Sequence, residues 1–185
     1  MIMAASNPFR TARLEALRFR LDEAGWQRLL ERGDRLRWRC SLVGPQGTGK
    51  TTLLGELEQR LAQRFRSVRR IRAAVHAPPD RRQVALALAD VTSDDLVTVD
   101  GAEPFGRWRW WRLRRRVPGA LLITSHRSGL LPILHEHHVD AVLLADLMIE
   151  LSGDGPLDEA RALLERHDGN LRDCLLACYD HWAGR

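Results

Sequence analysis

The sequence predicts an α/β protein: a five-stranded parallel sheet in a three-layer arrangement, helices on both faces, with a small helical lid at its C-terminal end. Three observations lead there. Short apolar runs alternate with helix-period segments up to about residue 146. A glycine-rich octapeptide, residues 44–51, joins the first of those runs directly to a long amphipathic helix. From Leu147 onward the strand-like runs stop and only helical spacing remains. Strands that alternate with helices pair in parallel and are covered on both faces.

Residues 8–32 carry Leu14, Leu17, Leu21, Trp26, Leu29 and Leu30 at helical spacing, interrupted at Gly25. Residues 38–43 are the first strand. Residues 51–65 then place Leu53, Leu54, Leu57, Leu61 and Phe65 on the buried side of a helix. Residues 68–75 alternate imperfectly and predict the second strand, with Pro78-Pro79-Asp80 as a turn. A short helix over 81–89 leads to the third strand, Leu96-Val97-Thr98-Val99, which ends at Asp100. Residues 105–117 predict a helix with Phe105, Trp108, Trp111 and Leu113 turned inward, stopped by Pro118-Gly119. Residues 120–124 are the fourth strand. A short helix near 130–137 precedes the apolar run 139–145, expected as the fifth. Helices over 157–167 and 170–182, joined at Asp168-Gly169, complete the chain. The expected organisation is a helical arm over 1–34, a sheet core over 35–146 and a helical lid over 147–185.

The length of 185 residues accommodates one α/β core with an appendage, not two full domains. With 44% hydrophobic and 29% charged residues, the composition is that of a soluble globular chain rather than a disordered one. No apolar run reaches the roughly 20 residues of a bilayer span. Residues 1–9 lack the basic-then-apolar order of a signal peptide. The expected location is therefore cytoplasmic, with no membrane partner. Cys40, Cys174 and Cys178 show no metal-ligand spacing and are expected as small core residues. The net charge is +5, and Lys50 is the single lysine among 29 basic residues. That balance permits nucleic-acid contact without requiring it.

Gly44-Pro45-Gln46-Gly47-Thr48-Gly49-Lys50-Thr51 fits G-x-x-x-x-G-K-[ST] at every position, with a predicted strand before it and a helix after it. The glycines let successive N–H groups turn toward phosphate oxygens. The helix that follows adds the positive end of its dipole. Lys50 supplies a charge between the β- and γ-phosphates, and the Thr51 hydroxyl joins a Mg2+ shell. The phosphate-binding set runs from Gly44 through Thr52, and the expected ligands are ATP and Mg2+.

Such a site needs a carboxylate on a neighbouring strand to hold the metal. Asp100, after four mostly apolar residues, fits that Walker B role; the alternative is a plain helix cap. The residue after it is Gly101, so the nearest acid for orienting water is Glu103. Glu103 reads equally as a first-turn acid favoured by its helix dipole. The fourth strand ends in Thr124-Ser125-His126-Arg127, polar groups that either face a γ-phosphate or form an ordinary turn.

The order of these parts resembles the AAA+ ATPases and their STAND-type relatives. His167-Asp168-Gly169-Asn170-Leu171-Arg172-Asp173 looks like the sensor 2 segment of that family. By this resemblance Arg172 reports the γ-phosphate from a lid helix, and Thr124, Ser125 or His126 occupies the sensor 1 position. The chain departs from the family at Asp100-Gly101, where an Asp-Glu pair is usual, and lacks a clear arginine finger before the fifth strand. The resemblance implies an ATP-driven switch or slow ATPase acting on a protein or nucleic-acid partner. Two other readings stand beside it: a small-molecule or nucleotide kinase, and a module that holds nucleotide without turning it over.

Arg107-Trp108-Arg109-Trp110-Trp111-Arg112 and Arg114-Arg115-Arg116 interleave aromatics with positive charge, as nucleic-acid contacts do. An amphipathic helix with buried Trp108 and Trp111 explains the same pattern. His135, Glu136, His137 and His138 are adjacent rather than spaced to converge on a metal.

Overall fold

The computed structural model describes residues 7–73 and 80–184. The end of the second predicted strand, to Val75, and the Pro78-Pro79 turn lie outside them. The chain forms two compact units. One comprises residues 19–44 and 50–137; the other, among the described residues, comprises 7–18, 45–49 and 138–184.

The first unit holds the whole sheet. Its strands are β1 (Arg39–Val43), β2 (Ser67–Arg72), β3 (Asp95–Asp100), β4 (Ala120–Ser125) and β5 (Ile133–Glu136), in the order β2-β3-β4-β1-β5. Every pairing is parallel, with one irregularity between Ser41 and Leu42 where β5 joins β1. Alternation along the strands sends side chains to opposite faces. Cys40, Leu42, Leu96, Leu122 and Leu134 pack with Leu53, Leu54, Leu57 and Leu61 of α3 (Lys50–Leu61) and Trp26 and Leu29 of α2 (Glu23–Arg35). Ile71, Val97, Val99, Leu121 and Ile123 pack on the other face with Trp110 and Leu113 of α5 (Gly106–Arg116), and α4 (Arg81–Ala87) adds Val84 and Ala87. The three-layer α/β/α architecture expected from the sequence is thereby in place.

The second unit is helical: α1 (Thr11–Glu15), α6 (Ala141–Ser152), α7 (Leu157–Arg166) and α8 (Leu171–Ala183). Leu144, Leu147, Met148 and Leu151 of α6, Leu163 of α7, Cys174 and Cys178 of α8 and Phe9 form its core.

Four local expectations need correction. The apolar run 139–145 is not a strand but opens α6, capped by Asp140 Oδ1, which accepts from the Leu143 amide at 2.8 Å. The fifth strand is instead Ile133–Glu136, inside the segment expected as helix; its short length and two polar residues hid it. Helix period over residues 8–32 gives two helices, and Gly25 lies in the first turn of α2, its amide bonded to Asp22 Oδ1 at 2.7 Å. On α5 the buried aromatic is Trp110, while Trp108 and Trp111 are 66% and 47% exposed. The inward set is Trp110, Leu113 and Val117, the other phase of the same helical period.

The three cysteines are free and buried. Burial pushes the Cys40 thiol up to about 12 and the Cys178 thiol up to about 11.

Candidate functional site

Within the sheet unit, Gly44, Lys50, Thr51, Asp100 and Thr124 meet at the C-terminal ends of β1, β3 and β4. Gly44 follows β1 directly, and its amide donates to the Ser125 carbonyl at 3.2 Å. Lys50 opens α3, largely buried, with Nζ donating to the Gly44 carbonyl at 2.7 Å. Burial lowers its pKa, and the nearby charges of Glu103 and Asp100 act in the opposite sense. An ammonium withdrawn from water beside two carboxylates gains from an arriving phosphate. Thr52, also in the first turn of α3, is exposed.

Thr51 Oγ1 donates to Asp100 Oδ1 at 2.9 Å. The same carboxylate oxygen accepts from Thr124 Oγ1 at 3.1 Å, and Thr124 Oγ1 in turn accepts from the Gly101 amide at 2.7 Å. A hydroxyl and a carboxylate oxygen side by side are the hard donors that suit Mg2+. These residues therefore fit the metal expected with a nucleoside triphosphate.

Gly101 explains why the acid after Asp100 is displaced. Its φ is +82°, a conformation that strains any side-chain-bearing residue. The chain turns there and brings Glu103 to the tip of β4, where Glu103 Oε1 accepts from the His126 amide. The His126 ring is also near, with Nδ1 3.8 Å from the same oxygen. Ser125 is buried, and its hydroxyl donates to the Arg127 carbonyl. Of the polar groups at this tip, Thr124 is the one whose side chain touches Asp100.

Residues 45–49 pack within the helical unit. Thr48 Oγ1 donates to the Pro45 carbonyl at 2.9 Å, closing the loop on itself; Gln46 is exposed. Gly47 and Gly49 have φ of +76° and +86°, as a loop that turns its amides to one side requires. A Cβ on Gly47 would lie 1.7 Å from Asn170 Oδ1 and 3.3 Å from the Arg172 amide. Asn170 is the N-cap of α8, accepting from the Arg172 and Asp173 amides at 3.1 and 3.4 Å. The exposed Arg172 thus sits in the α8 turn that lies against the loop.

No family profile and no curated protein sequence matches this chain. Among solved structures, a point mutant of RuvB from Thermotoga maritima is similar, with a TM-score of 0.56 at 17% identity over 86% of this chain. The fold is AAA+-like. At that identity the likeness carries the architecture alone, and this chain spans 62% of the RuvB chain.

Within the AAA+-like sheet unit, two site residues escaped the sequence. Arg70 Nη2 lies 2.6 Å from Asp100 Oδ2, and Arg70 Nη1 lies 3.1 Å from Glu58 Oε2. Glu58 Oε1 also accepts from the buried Thr98 hydroxyl at 2.5 Å. The signal was present: Glu58 follows Leu57 on the apolar stripe of α3, and Arg70 shares a strand face with Val68.

Proposed function

We propose that this chain is an ATP-binding P-loop NTPase of AAA+-like type, a switch or slow ATPase that works with a protein or nucleic-acid partner. The observation that carries the reading is the 2.9 Å bond between Thr51 Oγ1 and Asp100 Oδ1. It joins the last residue of the glycine loop to the strand-end carboxylate, the two groups a nucleotide-bound Mg2+ needs. Lys50 and the loop from Gly44 to Thr52, through the backbone N–H groups of its residues other than Pro45, hold the phosphates, while Thr51 and Asp100 hold the metal. Bound there, Mg2+ neutralises charge on the β- and γ-phosphate oxygens.

Glu103 is the acid that orients the attacking water, and Thr124, Ser125 and His126 form the γ-phosphate-facing tip. The contact of Asn170 with Gly47 supports Arg172 as the reporter of the γ-phosphate. Glu103 is engaged by the His126 amide, which favours slow turnover over fast. The same observation favours a second reading, nucleotide holding without turnover.

Phosphate release separates the two. Slow turnover predicts magnesium-dependent release that falls roughly a hundredfold or more in Glu103→Gln, the usual scale for losing a general base. Release at background level with tight ATP binding would establish the holding reading. Release unchanged in Glu103→Gln would remove that residue from the mechanism.

A further inference from the structure

The helix α5 carries six arginines in eleven residues and no acidic residue. No ion pair among the described residues uses any of the six. Opposite its buried side of Trp110, Leu113 and Val117, the outward face bears Trp108, Trp111, Arg112 and Arg115 at helical spacing. The two indoles are stacked, with centroids 5.2 Å apart and planes 18° from parallel. The Arg115 guanidinium lies 4.9 Å from the Trp111 centroid. Trp111 is thus flanked along the helix by Trp108 one turn before it and Arg115 one turn after, and Trp108 at the end of the row is 66% exposed.

We propose that the outward face of α5 is a docking surface for single-stranded nucleic acid, with bases stacking on the Trp108–Trp111 pair and phosphates meeting the surrounding arginines. Two requirements select that partner. Unpaired guanidiniums of a single sign need a polyanion. Exposed planar rings in an aligned stack need flat π-faces, which unstacked bases offer and which an acidic peptide or an intact duplex does not. An outward face that bears arginine around only two aromatics offers little apolar area for a membrane. The proposal goes beyond the nucleotide-binding reading and does not depend on it.

The test uses the full chain and a fluorescein-labelled oligothymidylate of about 20 nucleotides, followed by anisotropy across a salt series. Binding that weakens with salt is expected. The double variant Trp108→Ala/Trp111→Ala, which keeps every charge, should bind at least roughly tenfold more weakly. Arg112→Gln/Arg115→Gln should lower the salt slope by about 1.4, at about 0.7 per lost phosphate contact. The proposal is overturned if the wild-type chain does not bind the oligonucleotide or if the indole variant binds it equally well. It is also overturned if poly-glutamate, or a duplex of the same length, competes as effectively as unlabelled oligothymidylate. Both indole positions are solvent-facing, so the variants should fold, and MgATP binding by the same preparations reports separately on the nucleotide site.

Discussion

Arg70 Nη2 on β2 pairs with Asp100 Oδ2 at the end of β3 at 2.6 Å. The opposite oxygen of Asp100 is held by Thr51 and Thr124. The carboxylate is therefore fixed from both sides before any metal arrives, and a cation already occupies one of its oxygens. Glu58 compensates that arginine from α3, so three partly buried charges, Glu58, Arg70 and Asp100, form one row within the sheet unit. Ion pairs withdrawn from water hold their geometry but are costly to break one partner at a time.

Arg70→Met should have two effects. Losing the cation strands Glu58 and Asp100, lowering stability by about 1–2 kcal/mol in urea unfolding, less than a fully buried pair would cost because the arginine is 21% exposed. It also removes the competitor for Asp100, so nucleotide binding should saturate at several-fold lower Mg2+. An unchanged Mg2+ requirement would make Arg70 a purely structural residue.

Gly47→Ala should lower the melting temperature and abolish ATP binding. The substitution adds strain at a φ of +76° and drives a methyl into Asn170 Oδ1. Asn170→Ala alone loses a helix cap, about 1 kcal/mol. Since the two residues touch, the double variant should be less destabilised than the sum of the singles; strict additivity in thermal unfolding would contradict the contact.

Asp95 should weigh on the acid limb of stability. Its buried carboxylate bonds Arg66 at 2.6 Å, Ser67 Oγ at 2.7 Å and the Thr92 amide at 2.8 Å, and the arginine holds it well below the usual carboxylate range. A group whose folded pKa is depressed stabilises fully above its unfolded value, about 3.9, and loses that contribution as pH falls toward the folded value. Stability measured from pH 7 downward should drop below about pH 4. Asp95→Asn should be less stable at neutral pH and show a flatter acid limb.

The thiols should be unreactive in the native state. All three are buried, and burial shifts all three toward the neutral form. A thiol reagent should label none rapidly without denaturant and three with it. Fast native labelling of Cys178 would place it at an accessible surface.

Legibility followed sequence contiguity. The glycine loop and Asp100 were readable because each is a short run whose chemistry is complete in itself. Arg70 and Glu58 were not, since their pairing exists only once α3 packs on β2 and β3. The α5 phase was ambiguous because Trp108/Trp111 and Trp110/Leu113 both satisfy a helical period. The deciding clue was Val117, which extends the second set by one turn, whereas the first runs on into Arg112 and Arg115. β5 was hidden by its polar residues, and α6 by the Asp140 cap that went unrecognised before an all-round apolar run.

Calorimetric titration of MgATP into the wild-type chain and into Lys50→Ala decides whether the glycine loop binds nucleotide. Saturable, one-site, magnesium-dependent binding is expected of the wild type and none measurable of the variant, because Lys50 carries the one lysine charge at the loop. Equal affinity in the two proteins, or no heat of binding in the wild type, would contradict it.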